Sequence, residues 1–195
     1  VQLRALRRII ERECIDLVIP TTDEDVLTIA RLREKLACRV FLPRTAVVER
    51  CQDKYALASF LRRRNIPAPL TYAISSLAQV EALFRRLAPR PLLWCRVRKG
   101  SGSFAAIPVR RPNQARAWIE YWQEMRGIPA RSFTLSEYLP GRDFCVQCLW
   151  RNGRLVLELI LGEAPHQFRV KLRSRRSEKL RHRAFQRHRR PVDAV

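Results

Sequence analysis

The sequence predicts a mixed α/β (α+β) fold, and three observations support it. Short apolar runs typical of strands alternate with helical apolar periods in the first part of the chain, and the connections are short. Further along, pairs of strand-like runs are separated by tight turns, which predicts antiparallel hairpins. Hydrophobic residues make up 47% of the 195 residues, enough for a globular core. We therefore expect a parallel α/β unit followed by antiparallel sheets.

The first unit opens with a helix and a strand. Residues 3–13 have apolar side chains at helical spacing, and 15–20 is a buried-looking strand that ends at a proline. Thr21 and Glu24 have the spacing of a capping box, which predicts the start of a second helix. Residues 39–42 form the next strand. Because a helix separates the two strands, we expect them to pair in parallel.

The next elements form a helix, a strand and another helix. Asp53 is the predicted N-cap of the first of these helices. The two prolines within 66–69 force an extended path into a strand at 70–74. Ser76 and Gln79 predict a second capping box, and the apolar period behind it predicts a helix.

The last elements are mainly strands. Residues 92–109 read as a strand, a loop and a strand, and a helix then ends at Gly127. Residues 132–138 form a further strand. Two more strands, at 143–150 and 155–161, flank a tight turn and form a second hairpin. From residue 163 the apolar period is lost, which predicts an irregular basic tail.

The loop of the first hairpin has the composition of a phosphate-binding loop. Its glycines allow backbone N–H groups to approach an anion, its serines add hydroxyl donors, and basic residues before it supply positive charge. The residues are Arg96, Arg98, Lys99, Gly100, Ser101, Gly102 and Ser103. An ordinary hairpin with a solvated basic tip is the alternative interpretation of the same residues.

The net charge of +21 indicates an anionic partner, such as a nucleotide, a nucleic acid or a membrane surface. Residues 163–195 hold 11 Lys and Arg against 3 Asp and Glu. However, arginine outnumbers lysine 34 to 5, as GC-rich coding DNA would also produce. Because of the net positive charge, a basic nucleic-acid-binding module without catalysis is the alternative function. The tail lacks interleaved aromatics, which makes nucleic acid the less favoured partner.

We interpret the six cysteines as reduced core residues and expect neither a metal site nor disulfides, because most of them lie in apolar runs. Cys145 and Cys148 would point to opposite faces of a strand, so they cannot share a metal ion. No apolar run reaches about 18 residues, and no signal peptide opens the chain. We expect a cytoplasmic protein that does not contact the membrane.

The order of motifs over residues 14–160 resembles the ATP-grasp superfamily, near carbamoyl-phosphate synthetase large chains and biotin carboxylase. The motifs lie at 20–24, 51–54, 65–69, 92–109, 137–141, 143–144 and 152–154. The resemblance implies a partial Rossmann-like pre-ATP-grasp unit at 1–52, an incomplete ATP-grasp domain with antiparallel sheets at 53–162, and a basic tail at 163–195.

The resemblance also implies an ATP site. Lys54 matches the first phosphate-binding basic residue, and Arg96 matches the basic residue that precedes the phosphate loop. The loop formed by Gly100, Ser101, Gly102 and Ser103 would cover the β and γ phosphates. The segment between the two lobes would bind adenine through its backbone, and an acidic residue would bind the ribose; these are Glu137, Tyr138, Leu139 and Asp143.

The implied chemistry is activation of a carboxylate by ATP to an acylphosphate, which an amine or thiol then attacks. Family members hold two Mg²⁺ ions through acidic residues on late strands. After Leu161 this chain offers Glu163, Glu178 and Asp193, without a strand pattern. We expect a C-terminal truncation or a nonhomologous replacement, and hence weak nucleotide binding without turnover. No catalytic residue is assigned. A catalytically silent partner of a complete ligase is a further hypothesis.

Overall fold

The computed structural model describes residues 3–141, 144–162 and 168–169, the last stretches partly by backbone alone. Asp143, the predicted ribose ligand, lies outside the described residues, as does most of the predicted tail. The described residues form two compact units, one up to Leu139 and one from Pro140 onward. The predicted limits at 52/53 and 162/163 remain predictions.

The first unit begins with a small parallel sheet. Helix α1 (Leu3–Arg12) leads to strand β1 (Leu17–Val18), and helix α2 (Asp23–Leu32) leads through a 3₁₀ turn to strand β2 (Arg39–Val40). The two strands pair in parallel, as predicted. Apolar residues of both helices and of the turn bury a small core: Ile10, Ile29 and Leu36.

The cap of helix α2 lies one residue later than predicted. Thr22, not Thr21, is the N-cap: its Oγ1 accepts from the backbone N–H of Asp25 at 3.2 Å. The same hydroxyl donates to the Asp25 carboxylate at 2.8 Å. Thr21–Glu24 and Thr22–Asp25 both have the spacing of a capping box, so the sequence pattern could not separate them.

Two helices follow in close succession. Helix α3 (Thr45–Gln52) was not predicted, while helix α4 (Lys54–Arg62) was. Asp53 is the N-cap of α4, as predicted, because its Oδ1 accepts from the N–H of Ala56 at 3.0 Å. Residue 53 therefore joins the two helices.

An antiparallel sheet of four strands is the centre of the first unit. Its strands are β3 (Thr71–Ala73), β4 (Leu93–Val97), β5 (Ile107–Val109) and β6 (Phe133–Glu137), in the order β3-β6-β4-β5. The predicted hairpin is confirmed, since β4 pairs with β5. The second strand of this hairpin starts only at Ile107, because the loop is longer than the sequence pattern indicated.

Helices α5 (Val80–Leu87) and α6 (Pro112–Arg126) pack on one face of this sheet. Gly127 ends α6 in a left-handed conformation with φ of 65°, as predicted. The second predicted capping box is wrong: Ser76 makes no capping bond, and the Gln79 side chain accepts instead from the N–H and hydroxyl of Ser75, both at 2.9 Å. A 3₁₀ turn consequently precedes α5.

The second unit is an antiparallel sheet. Strands β7 (Phe144–Arg151) and β8 (Arg154–Gly162) form the predicted hairpin, and strand β9 (Phe168–Arg169) pairs with β8. Asn152 and Gly153 both have positive φ, of 50° and 73°, as a tight hairpin turn requires. Two residues of the stretch predicted as a tail, Phe168 and Arg169, thus pair with this sheet.

The cysteines differ in exposure. Cys95 is buried in the sheet, and burial raises the pKa of its thiol to about 12. The prediction of a core cysteine therefore holds here. It is wrong for Cys14, Cys51 and Cys148, which are exposed thiols. Cys14 lies in the turn after α1, whereas Cys51 lies in α3 and Cys148 in β7. None of the helices described is long and apolar enough to cross a membrane.

Candidate functional site

Strand β4 presents different side chains on its two faces. Leu93, Cys95 and Val97 are buried toward α5 and α6. Trp94 and Arg96, at alternate positions, therefore lie on the opposite face. The strand therefore has one buried, apolar face and one face that carries the Trp94 ring and the Arg96 guanidinium.

The β6 residues that pair with Trp94 and Arg96 carry hydroxyl groups, and both hydroxyls are hydrogen-bonded. Arg96 pairs with Thr134, and Trp94 with Ser136. The Thr134 hydroxyl donates to Arg96 O at 3.2 Å, and the Ser136 hydroxyl donates to Trp94 O at 3.4 Å. These two buried hydroxyls bind the β4 backbone, which leaves the Arg96 guanidinium without an acceptor from them.

The Arg96 side chain lacks a counterion within the described part of the chain. Its Nε is buried and has no hydrogen-bond partner there. Burial lowers the pKa of this guanidinium, which shows that the surroundings disfavour its charge. A buried cationic donor without an acceptor is costly, so this position favours the arrival of an anion.

Lys54 brings a second cation to this position from helix α4. Its Nζ donates to Gly100 O at 2.6 Å, and its backbone N–H donates to Arg98 O at 3.0 Å. Burial lowers the pKa of Lys54, and the positive charge of Arg96 lowers it further. The two side chains are thus close enough to repel each other.

Arg98, in contrast, has a counterion. Its Nε and Nη2 donate to the Asp53 carboxylate, with contacts of 3.0, 3.1 and 2.7 Å. Burial alone would raise the pKa of Asp53, but the Arg98 and Ala56 hydrogen bonds outweigh it and the pKa is lowered. The hydrogen bonds to Asp53 raise the pKa of Arg98. The predicted role of Arg98 as a phosphate ligand therefore remains a prediction, while its ion pair with Asp53 is a structural fact.

The loop after β4 has an unusual backbone. Gly100, Gly102 and Ser103 have φ of 135°, 61° and 58°. Two turns close it, since Phe104 N–H donates to Ser101 O at 3.1 Å and Ala106 N–H donates to Ser103 O at 3.2 Å. A Cβ at Gly100 would lie 3.4 Å from Val97 Cγ2. Glycine is required at residue 100 both by its φ and by this close neighbour.

Helix α6 anchors the far side of the loop. Trp118 Nε1 donates to Ala105 O at 3.2 Å. The Phe104 ring packs edge-on against Trp122, with centroids 4.7 Å apart. Trp118 and Trp122 thus hold the loop from the side of α6. Tyr121 of the same cluster is largely exposed.

The predicted adenine-binding segment follows the end of β6. Glu137 N–H donates to Leu70 O at 3.0 Å, and Glu137 Oε2 accepts from Leu70 N–H at 2.6 Å. Glu137 thus ties β6 to the start of β3. Tyr138 and Leu139 are exposed, and the Tyr138 ring lies 5.9 Å from the Trp94 ring between centroids.

The predicted site residues fall into two groups along the β4–β6 ladder. Leu93 pairs with Glu137, and Val97 pairs with Phe133, so the ladder between the groups is about 14 Å long. One end gathers the cations and the loop: Lys54, Arg96, Arg98, Gly100, Ser101, Gly102 and Ser103. The other end carries Glu137, Tyr138 and Leu139.

Sequence reasoning missed two residues of this region. Trp94 was assigned only to a buried strand, although its alternation with Arg96 indicated that the two side chains share a face. Asp53 was assigned only to a helix cap. Nothing local in the sequence indicates its pairing with Arg98, because the two lie 45 positions apart.

The described residues contain no cluster of metal ligands. No group of three or more His, Cys, Asp or Glu side chains among them could hold a metal ion. Mg²⁺ prefers carboxylate oxygens, and the Asp53 carboxylate beside these cations is bound to Arg98. We therefore assign no residue to a metal.

No family model matches the chain, and no curated protein matches it by sequence. Solved structures do match. D-alanyl-alanine synthetase A from Vibrio cholerae has a TM-score of 0.61 and 11% identity, over 89% of this chain and 56% of that one. The biotin carboxylase–β,γ-ATP complex from Campylobacter jejuni has a TM-score of 0.66 and 13% identity, over 82% and 37%.

A third structure, the RimK domain ATP-grasp protein from Sphaerobacter thermophilus, has a TM-score of 0.55 and 16% identity, over 73% of this chain and 53% of that one. The chain thus spans 37% to 56% of the length of these three proteins. The resemblance to ATP-grasp enzymes is confirmed at the level of the fold, with its mixed helices and antiparallel sheets.

Proposed function

We propose that the polar face of β4, with Lys54 and the loop at 100–103, binds the triphosphate of ATP. The observation that carries this proposal is the buried Arg96 Nε, which has no hydrogen-bond partner among the described residues. The Arg96 guanidinium lies beside Lys54, whose positive charge it repels. A polyphosphate placed between them would supply the missing acceptors and relieve the repulsion between the two cations.

The loop would add donors that carry no charge. Gly100 and Gly102 have no side chain that would keep a phosphate away from the backbone N–H groups. The hydroxyls of Ser101 and Ser103 can donate hydrogen bonds to the same phosphate. Lys54 connects the loop to the proposed phosphate site, because its Nζ donates a hydrogen bond to Gly100 O. The loop therefore has a fixed position relative to the proposed phosphate site.

The opposite end of the ladder would bind the base. The ladder from the Leu93–Glu137 pair to the Arg96–Thr134 pair has three residue steps, about 10 Å, and a nucleotide laid along it would reach Arg96 with its phosphates. The backbone of Glu137, Tyr138 and Leu139 would hydrogen-bond to the adenine edge, and the Trp94 ring offers an apolar surface beside it. Asp143 is the proposed ribose ligand.

The proposed reaction class is that of an ATP-grasp, carbamoyl-phosphate-synthetase-like ligase. The γ-phosphoryl group would pass from ATP to a carboxylate, and an amine or thiol would displace phosphate from the acylphosphate. This chain would bind and orient the nucleotide and neutralise its charge. We propose that these 195 residues bind ATP without steady turnover, because no cluster of metal ligands lies among the described residues.

Calorimetric titration with ATP tests this proposal. Replacing Arg96 with Met keeps the length of the side chain and removes its charge, so affinity should fall about tenfold to a hundredfold. Arg85→Met on the exposed side of α5 is the matched control and should leave affinity unchanged. Equal affinities of wild type and Arg96→Met would refute the proposed phosphate site.

The net charge of +21 favours a second candidate, a nucleic-acid-binding module. Its affinity should fall steeply with salt and should persist when Arg96 is replaced, since the positive charge is spread over the chain. Binding of a single-stranded oligonucleotide, measured with and without saturating ATP, separates the two functions. Competition between the ligands would place both at one site, whereas independent binding would assign them to different surfaces.

A further inference from the structure

We propose that Asp53 is a positioning residue for the phosphate loop and that Arg98 acts through Asp53 instead of contacting phosphate. The inference rests on the proposed nucleotide site and deepens it. It gives different tasks to two arginines two positions apart, Arg96 in β4 and Arg98 in the bend that follows it. Arg96 is assigned to the ligand, and Arg98 to the shape of the loop.

Asp53 makes two kinds of contact at once. Its Oδ1 accepts from Ala56 N–H at 3.0 Å and thereby caps helix α4. Both oxygens also accept from Arg98, the shortest contact being 2.7 Å from Nη2 to Oδ2. The carboxylate is buried, with 7% of Asp53 exposed, so water screens this ion pair weakly. A single side chain thus connects the start of α4 to the residue that follows β4.

The backbone around Arg98 is held from two sides. On one side, Arg98 O accepts from Lys54 N–H at 3.0 Å; on the other, Arg98 N–H donates to Ser132 O at 2.7 Å. Lys54 Nζ then reaches Gly100 O. Because residue 98 has both backbone groups and its guanidinium engaged, the path of the chain into Gly100 is fixed.

The environment of the Arg98 guanidinium also favours a structural task. Its Cζ lies 5.3 Å from the centre of the Tyr55 ring, next to the Asp53 carboxylate. The planar fork of arginine is bound in its bidentate geometry, which compensates its charge. For Arg98 to bind a phosphate, it would have to leave a buried carboxylate unpaired, and that is unfavourable.

One substitution separates the ion pair from the helix cap. Asn is as good an N-cap as Asp, so Asp53→Asn retains the acceptor for Ala56 N–H. It removes the negative charge and turns an amide NH₂ toward Arg98. Helix α4 should therefore persist while the loop loses its anchor.

Affinities for ATP test the inference by a double-mutant cycle. We expect Asp53→Asn and Arg98→Met each to weaken binding, on the order of tenfold for the loss of one charge-assisted pair, and the double variant to lose no more than either single one. Additive losses, or a loss in Arg98→Met with none in Asp53→Asn, would show that Arg98 binds the ligand directly and would overturn the inference.

Amide hydrogen exchange without nucleotide gives an independent readout. In Asp53→Asn, the amides of residues 99–104 should exchange on the order of tenfold faster, while those of α4 at 57–61 keep their protection. If wild type does not bind ATP, the proposed function fails, yet this exchange result still tests the anchor. Unchanged loop exchange, or faster exchange along α4 as well, would overturn the role of Asp53.

Discussion

Lys54 Nζ donates a hydrogen bond to Gly100 O at 2.6 Å and so joins the first residue of helix α4 to the first glycine of the loop. The two residues lie 46 positions apart. This contact places a lysine, an arginine and a glycine-rich bend at the same end of strand β4. The proposed phosphate site depends on that convergence.

Removal of the Lys54 ammonium tests the convergence. In Lys54→Met, ATP affinity should fall about tenfold or more, because both a phosphate contact and the hold on Gly100 O are lost. Lys35→Met, in the 3₁₀ turn after α2, is the control and should bind like wild type. Titration calorimetry at low salt measures both. A Lys54→Met protein with unchanged affinity would remove Lys54 from the site.

The titration of Lys54 predicts a pH dependence of binding. Burial and the charge of Arg96 lower the pKa of Lys54 below its ordinary value of 10.5, so the ammonium loses its proton earlier than a free lysine does. ATP affinity should therefore decline as pH rises through that lowered pKa. Lys54→Arg should keep its affinity into the same alkaline range. Parallel declines of the two proteins would assign the effect to another group.

The same shift has the opposite sign for stability. The folded chain binds a proton at Lys54 less tightly than the unfolded chain does. Its contribution to the free energy of unfolding should therefore rise with pH between the lowered pKa and the ordinary value. Urea unfolding of wild type and Lys54→Met over this range measures it. The difference between the two proteins should shift in favour of wild type as pH increases.

The glycines of the loop should differ in their tolerance of alanine. Gly100 has a φ of 135°, and an added Cβ would lie 3.4 Å from Val97 Cγ2, so Gly100→Ala should cost about 1–3 kcal/mol of stability. Gly102 has a φ of 61° and open space around it, so Gly102→Ala should cost about 1 kcal/mol. Urea unfolding compares them. A larger cost at Gly102 would contradict the described loop.

Glu137 should matter as a hydrogen-bond acceptor rather than as a charge. Its Oε2 accepts from Leu70 N–H at 2.6 Å, so Glu137→Gln keeps an acceptor and should stay close to wild-type stability. Glu137→Ala leaves that partly buried N–H unpaired and should cost about 1–2 kcal/mol. Thermal unfolding distinguishes the variants. Glu137 Oε2 also lies 3.6 Å from Arg90 Nη2, and equal losses in both variants would indicate that this ion pair dominates.

Elements with strong local signals could be predicted from the sequence. The alternation in β4 and the apolar period of α6 with its terminal Gly127 were sufficient. Helix α3 (Thr45–Gln52) was not predicted, because its N-cap Arg44 makes no capping bond and only Val48 is buried. A short helix without a cap signal or an apolar stripe has no distinct pattern.

The residues of the candidate site could be predicted from the sequence, but the different tasks of Arg96 and Arg98 could not. Arg96 and Arg98 are both arginines and lie only two positions apart, and both were predicted to bind phosphate. Their difference arises from Asp53, which reaches Arg98 only after α4 has packed beside β4. Tertiary pairing of this kind has no local pattern, so the unpaired Nε of Arg96 is visible only in the structure.

The central claim is that ATP lies along β4, with phosphates at Arg96 and the base at Tyr138. Amide hydrogen exchange of the 195-residue chain, with and without saturating ATP, tests it most directly. The account predicts slower exchange at 96–104 and at 137–139 together, with no change along α1. Protection confined to the basic residues beyond 170, or none at 96–104, would contradict it.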